Sequence, residues 1–328
     1  MTKDEVLTIL KQHDDYVSGE MISRGLGISR AAINTAVKSL RAAGYEIESS
    51  TRRGYRLKNA PDALTSGELL SYLGAERMKT VAVYEVTDST NKRIKDFADE
   101  GFPAGQTAIA NEQTAGRGRR GRSFLSLKDK GIYLSYLLRP TCTPQDVASI
   151  TAWTAVAVGR AVKTVTGLSP DIKWVNDLLL GGRKICGILT ELSIETETGS
   201  IQSAVVGIGI NVNQTLEDFP EELRSFAGSC AMAVGHPISR AVLASEVVKE
   251  MDKLRDAWPD GKADFLSTYR SFCITTGKEI NVIAGSNVRK GKALDVDDDF
   301  ALIVEFEGGN VEHVQSGEVS IRRTDGYA

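Results

Sequence analysis

The 328 residues, 41% hydrophobic and 25% charged, suit about two globular domains with room for a small third, and they exclude wholesale disorder and fibrous architecture. Forty Lys and Arg stand against 43 Asp and Glu, a formal net charge of -3 that argues against nucleic-acid binding through bulk charge alone. The average hides a gradient, because residues 1–58 hold ten basic and seven acidic side chains, a local +3.

A first helix is predicted over residues 3–12, with Val6, Leu7 and Leu10 on one face. Ser18 caps a second, which Gly25 and Gly27 end, and Ser29 caps a third that runs to about Ala43, with Gly44 at its stop. Two short helices across a tight Gly-containing turn make the helix-turn-helix outline. On the third helix Ile33, Val37 and Leu40 face the core and leave Arg30, Asn34, Thr35, Lys38 and Arg41 toward solvent. Tyr45-Glu46-Ile47-Glu48 then alternates apolar and polar, and Tyr55-Arg56-Leu57 does so again beyond a turn bearing Arg52, Arg53 and Gly54, a β-hairpin wing with a basic tip. The combination points to DNA binding through Ser29, Arg30, Asn34, Thr35, Lys38, Arg52 and Arg53. Asn and Arg suit base edges, whereas Ser, Thr and Lys suit phosphates. A helical protein-interaction module is the competing reading.

Asn59-Ala60-Pro61-Asp62 reads as a linker, followed by a helix over residues 64–73. From residue 81 to about 275, β-like runs (81–86, 131–138, 204–210) alternate with helical ones (91–100, 148–165, 240–258), the pattern of a mixed α/β domain of catalytic size. Residues 278–323 carry short strands punctuated at Gly285-Ser286-Asn287, Asp297-Asp298-Asp299 and Gly308-Gly309-Asn310, which predicts a small all-β barrel.

Four segments carry chemistry. Residues 116–122 hold four arginines and three glycines, a run too costly to order and too self-repelling for a helix or an ordinary strand. Glycine N–H groups and guanidinium forks together wrap a phosphate or carboxylate, so the loop is expected to order around an anion. Its spacing fits neither the P-loop nor the dinucleotide fingerprint, and an RG-rich tether is the competing reading. Lys173-Trp174-Val175-Asn176-Asp177 precedes a Gly181-Gly182 turn and a strand beginning near Lys184, a lysine placed to bridge two anions. Gly207 and Gly209 interrupt an apolar strand, permitting the close approach of a flat ligand or a tight internal contact. Asp88-Ser89-Thr90-Asn91 follows a strand, where Ser89 or Thr90 would serve equally well as a helix cap.

Cys142, Cys186, Cys230 and Cys273 lie more than 40 residues apart without a CxxC pair, so buried free thiols are expected rather than a zinc cage or redox pair. None of the three histidines neighbours a nucleophile motif, which argues against a hydrolase triad. With no apolar run near 18 residues and no apolar signal core, a cytoplasmic protein that does not enter membranes is expected.

Taken in order, Ser89-Thr90-Asn91, the Gly116–Gly121 loop, Lys173-Trp174-Val175-Asn176-Asp177, Lys184 with Gly187-Ile188-Leu189, and residues 207–211 resemble the bifunctional biotin protein ligases that also repress biotin operons. The resemblance covers essentially the whole chain. It departs at Val175, where that family usually has Pro, and at Ser126-Leu127, where Ser-Pro is usual. It implies an α+β multidomain fold. A winged helix-turn-helix would occupy residues 1–60, a central mixed α/β ligase domain like that of class II aminoacyl-tRNA synthetases residues 61–275, and a small SH3-like β-barrel residues 276–328.

The implied reaction joins biotin and ATP into biotinyl-5'-adenylate, which a lysine of a biotin carboxyl carrier protein then attacks, with Mg²⁺ accompanying ATP on unidentified ligands. On that resemblance Lys184 and Arg119 are catalytic. Ser89, Thr90, Asn91, Gln113, Gly116, Arg117, Gly118, Arg119, Lys184 and Gly187 bind biotin. Arg117, Arg119, Arg120, Phe124, Asn176, Asp177 and Asn211 bind the adenylate, Phe124 by stacking and Asn211 through its amide. Operator DNA and a second copy, in a ligand-promoted homodimer, are the further implied partners. A lipoate ligase of the same fold family and a ligand-sensing regulator without ligase turnover are the alternatives.

Overall fold

In the computed structural model, residues 2–140, 149–195, 200–284, 287–315 and 318–320 are described. Two compact units make up the chain, residues 1–83 with 239–245 and residues 84–238 with 246–328.

The first unit holds α1 (Thr2–Lys11), α2 (Gly19–Leu26), α3 (Arg30–Ala42), β1 (Glu46–Ser50), β2 (Gly54–Asn59) and α4 (Ser66–Met78). Both predicted caps form: Ser18 Oγ accepts from Met21 N at 3.1 Å and Ser29 Oγ from Ala32 N at 3.2 Å. Gly27 is the left-handed cap that ends α2, while Gly25 lies inside the helix. Leu7, Leu10, Ile22, Ile33, Val37 and Leu40 bury together with Ile47 of the wing. Val17 and Tyr55 exchange backbone hydrogen bonds of 2.8 and 2.9 Å, pinning the wing to the start of the helix-turn-helix. The helix after the linker belongs to this unit. Glu68 of α4, 2% exposed, is bonded to Lys11 and accepts from Tyr45 Oη at 2.5 Å, so a buried charge is neutralised by α1 and the wing entrance. Burial and that bond push the Tyr45 hydroxyl pKa up.

The second unit is built on a seven-stranded sheet of β3 (Val81–Thr87), β4 (Thr107–Gln113), β5 (Gly131–Leu138), β6 (Asp171–Lys173), β7 (Asp177–Leu180), β8 (Arg183–Ile194) and β9 (Ile201–Asn211), in the order β3-β4-β5-β9-β8-β7-β6. From β4 to β6 every neighbour pairs antiparallel, which makes the domain α+β rather than a parallel α/β sheet. All eight residues of β5 are buried. The helix α5 (Thr90–Asp99) covers the sheet with Ile94 and Phe97 against Ala108, Leu137 and Val205. The helix Ile150–Thr166 stacks Trp153 on Phe265 of the helix Lys262–Phe272 at 4.2 Å.

Five antiparallel strands close the unit: β10 (Glu279–Ala284), β11 (Asn287–Val296), β12 (Leu302–Phe306), β13 (Val311–Val314) and β14 (Glu318–Ser320), ordered β13-β12-β11-β10-β14 as a small SH3-like barrel. Ile280, Val282, Val296, Leu302 and Val304 form its core. Its turn after Val296 is organised by Asp297, whose Oδ1 accepts from Asp299 N and Ala301 N at 2.9 Å each. Of the predicted positions, Ala148, Cys142, Gly285, Ser286 and Arg323 lie outside the described residues. Cys186, Cys230 and Cys273 are buried free thiols, and burial pushes that of Cys230 up to about 12.

Candidate active site and nucleic-acid interface

The middle strands of the sheet, β5, β9 and β8, back a cavity of about 470 Å³. One wall is the first turn of α5. Asp88 Oδ1 accepts from Ser89 N at 2.8 Å and thereby serves the helix start, while the bond from Lys92 holds its carboxyl well below the usual range. Ser89 occupies the cap position yet makes no capping bond, and its buried side chain lines the cavity. The cap role weighed for Ser89 is therefore not taken up, and the N–H of Thr90 is satisfied by Gln113 instead. Thr90 donates from N and Oγ1 to Gln113 Oε1 at 2.8 and 3.1 Å, and Gln113 Nε2 donates to Ser126 Oγ at 3.0 Å. Asn91 is held at both ends: Oδ1 accepts from Ser135 Oγ at 2.5 Å, and Nδ2 donates to Glu191 Oε2 at 2.7 Å. Its amide orientation is thus fixed by the protein.

The floor is β9. A Cβ at Gly207 would collide with the Asn91 side chain, and one at Gly209 would stand 2.6 Å from the Phe124 ring. Both glycines make room for side chains that form the cavity rather than directly for a ligand. Phe124 packs edge-on against Tyr133 at 6.4 Å, and Ser126 Oγ donates to its carbonyl at 3.0 Å, so the Ser126-Leu127 departure still anchors the segment.

The arginine segment folds as a hairpin closed by one isolated antiparallel bridge, Arg117 to Ser123. Gly118 N donates to Arg122 O at 2.7 Å and Phe124 N to Gly116 O at 3.0 Å, around a single 3-10 turn at Arg119–Gly121. Its guanidinium groups rest on protein acceptors: Arg119 on Asn176 Oδ1 at 2.8 Å, Arg120 on the Ile283 carbonyl at 3.2 Å, and Arg117 3.9 Å from Glu191. Opposite stands Lys184, whose Nζ is 2.7 Å from Asp177 Oδ1, the same oxygen that accepts from Asn176 Nδ2 at 3.0 Å. Asn176 therefore joins the arginine loop to the Asp177–Lys184 pair. Trp174 is core as well as wall, 3% exposed, its Nε1 donating 2.9 Å to Phe300 O of the barrel turn.

Ser89, Thr90, Asn91, Gln113, Arg117, Gly118, Arg119, Arg120, Phe124, Asn176, Asp177, Lys184 and Gly187 all line this one cavity. Gly116 and Asn211 are not among its lining residues; Gly116 packs under Phe124 O, and the buried Asn211 accepts from Gln214 Nε2 at 3.3 Å. Sequence reasoning missed Glu191, Ser135, and Ser225 with Phe226. The last two belong to a loop that pairs with β8, Lys184 N donating to Phe226 O at 2.8 Å. Only the GILTE run after Lys184 hinted at Glu191, and nothing local signals the other three.

Among the described residues no three of His, Cys, Asp and Glu converge on a metal site. Asp177 is the carboxylate that lines the cavity, a donor set too small for a protein-made cage but suited to a cation that brings its own phosphate and water ligands.

On the first unit Ser29, Arg30, Asn34, Thr35, Lys38, Arg52 and Arg53 are all exposed. Ser29 is committed to capping, and Thr35 Oγ1 donates to Ala31 O at 3.1 Å. Tyr55 Oη donates to Asn34 Oδ1 at 3.3 Å, and Arg53 stacks 3.9 Å over the Tyr16 ring. Arg41 is exposed with the others, as expected, and also braces the wing through Ile47 O (2.9 Å from Nε) and Ser49 Oγ (2.7 Å).

Residues 83–211 match the Biotin/lipoate A/B protein ligase family, residues 2–56 an HTH domain, and residues 275–322 the Biotin protein ligase C terminal domain. The chain is 34% identical to the bifunctional ligase/repressor BirA of Bacillus subtilis over 98% of both chains. It is 29% identical to that of Escherichia coli over 97% of both. Biotin protein ligase from Aquifex aeolicus in complex with biotin and ATP superposes with a TM-score of 0.63 at 28% identity, covering 75% of this chain and all of that one. Among the described residues no helix is long and apolar enough to cross a membrane.

Proposed function

The chain belongs to the bifunctional ligase/repressor family, and from that premise we propose how its residues divide the work. The protein is an ATP-dependent biotin protein ligase and a DNA-binding repressor. In the first half-reaction a biotin carboxylate oxygen bonds to the α-phosphorus of ATP and pyrophosphate leaves. In the second, a lysine amine of a biotin carboxyl carrier protein attacks the acyl carbon and AMP leaves.

The observation that carries the residue assignment is that Lys184 shares one cavity with Arg117, Arg119 and Arg120 of the loop and with the Ser89-Thr90 wall. Two anions must meet for adenylation. Lys184, held by Asp177, stands where its ammonium can pair with the carboxylate and phosphate as they approach. Arg119 and Arg120, in exchanging protein acceptors for ligand oxygens, bind the adenylate and close the loop over it, keeping water from the mixed anhydride. The polar wall of Ser89, Thr90 and Gln113, with Asn91 behind it, takes the ureido head and rejects acids without one. Phe124 stacks with the adenine. Asn211, outside the cavity lining, reaches the nucleotide only with rearrangement of the Asn211–Gln214 pair. Asp177 is the carboxylate that would help hold a Mg²⁺ brought by ATP, which would offset phosphate charge.

Residues 1–60, 61–275 and 276–328 serve as DNA-binding, catalytic and barrel domains of a cytoplasmic protein, with α4 at the start of the second packed on the first. A ligand-promoted homodimer would present two winged helices to a two-fold operator. The test is one assay: purified protein with ATP, Mg²⁺ and labelled biotin or lipoate, with and without carrier domain. Biotin-dependent pyrophosphate release and carrier labelling are expected; lipoate-dependent release, or none, overturns the ligase reading.

A further inference from the structure

One carboxylate stands behind the cavity wall without lining it. Glu191, on β8, uses both oxygens on α5: Oε2 accepts from Asn91 Nδ2 and Oε1 from Lys95 Nζ, each at 2.7 Å. Asn91 and Lys95 are one helical turn apart, so a single side chain bridges the sheet to the opening turn of the helix. The remaining end of the Asn91 amide is taken by Ser135 on β5, and Gly207 on β9 leaves just the space that Asn91 fills. Thr90, one residue earlier, hangs from Gln113 on β4. The start of α5 is therefore hydrogen-bonded to three strands and packed against a fourth, and Glu191 supplies its charged attachment to β8. Desolvation of this half-buried group raises its carboxyl, but the bonds from Lys95 and Asn91 outweigh that and keep it below the ordinary value and ionised.

We propose that Glu191 is a positioning residue that sets affinity for biotin: by locking Asn91 and Lys95 to β8 it fixes Ser89 and Thr90 where the polar head of the ligand meets them. The inference rests on the biotin-ligase reading. A hydrogen-bonding wall must be held to within a fraction of an ångström to discriminate, and a helix terminus is the part of a helix most prone to fray. The effect falls on ligand binding rather than on the chemical step, because both short bonds of Glu191 go to α5, its contact with Arg117 of the arginine loop is a longer 3.9 Å, and its bonds do not reach Lys184 or Asp177.

The experiment uses the full chain and steady-state pyrophosphate release. Wild type is measured first: absence of biotin-dependent release there overturns the ligase reading, whereas a result confined to the variants bears on Glu191 alone. In Glu191→Ala the KM for biotin is expected to rise about tenfold, the loss of about one charge-assisted hydrogen bond, with kcat within about twofold and the KM for ATP unchanged. Glu191→Gln keeps one acceptor oxygen and should recover part of the loss, to about threefold above wild type. Lys95→Met, a change on a half-exposed arm, reads the same split should Glu191→Ala fail to fold. An unmoved KM for biotin, or a kcat that falls as far as that KM rises, overturns the proposal.

Discussion

On the proposed assignment the protein carries two anion-facing surfaces that solve the same electrostatic problem in opposite ways. On the head, Arg30, Asn34 and Lys38 project from a capped helix whose frame fixes their spacing, and the helix itself is secured by buried Ile33, Val37 and Leu40. In the catalytic unit the arginines stand on a glycine-rich hairpin and rest on Asn176, on a barrel carbonyl and near Glu191. The first arrangement suits a polymer with a regular charge lattice, where register matters and each contact adds little. The second suits one small anion, which gains its contacts only by displacing the protein's own acceptors. Preorganisation of the frame in one case, and exchangeable partners in the other, is the difference that a common count of arginines conceals.

The sharpest separation of the two surfaces comes from Lys184→Ala. Adenylation should fall about a thousandfold, the scale for removing a group that stabilises developing charge, while thermal stability and ligand-free DNA affinity stay at wild-type values. Normal turnover would remove Lys184 from the centre of the cavity chemistry. Next in size, Asn34→Ala should cost about 1–3 kcal/mol at a matched operator and far less on random DNA. Equal losses on both would reassign α3 from reading bases to holding phosphates. Arg119→Ala should shorten the lifetime of bound adenylate about tenfold, through loss of a charged hydrogen bond and of the link to Asn176. An unchanged lifetime, measured as release of labelled adenylate through a filter, would show that the hairpin's arginines do not retain the intermediate.

The smallest effect is one of pH. The Glu191 carboxyl lies below its ordinary value of 4.5 in the folded protein, so its contribution to stability is complete above that value and is lost as pH falls through the lowered one. Urea midpoints between about pH 6 and 3 should decline less steeply in Glu191→Gln than in wild type. Parallel curves would mean that the Asn91–Lys95 clasp adds no charge-dependent stability.

The head was readable because its signals are local. Ser18 and Ser29 cap the helices they precede, and a 3.6-residue apolar period marks the face that buries. The arginine loop was readable from composition alone. What escaped depends on partners far along the chain. Glu191 meets Asn91 across 100 positions, Ser135 meets it across 44, and Phe226 completes a wall by pairing with Lys184. Arg41 faces solvent as its helix position predicted, but its bond to the wing carbonyl of Ile47 was not legible from that position. The role of Gly207 and Gly209 was half legible. Their missing side chains did announce a close approach, but not that Asn91 and Phe124 were the visitors.

Those two glycines are negative space, and negative space can be cut to a different pattern. A methyl group at position 209 would push against the Phe124 ring, and one at 207 against Asn91, so each is a lever on a wall whose own residue stays unaltered. A ligand analogue with a matching gap could then be accepted by the altered protein and refused by the original. The floor of the cavity is thus the natural place to write a second, private substrate into the enzyme.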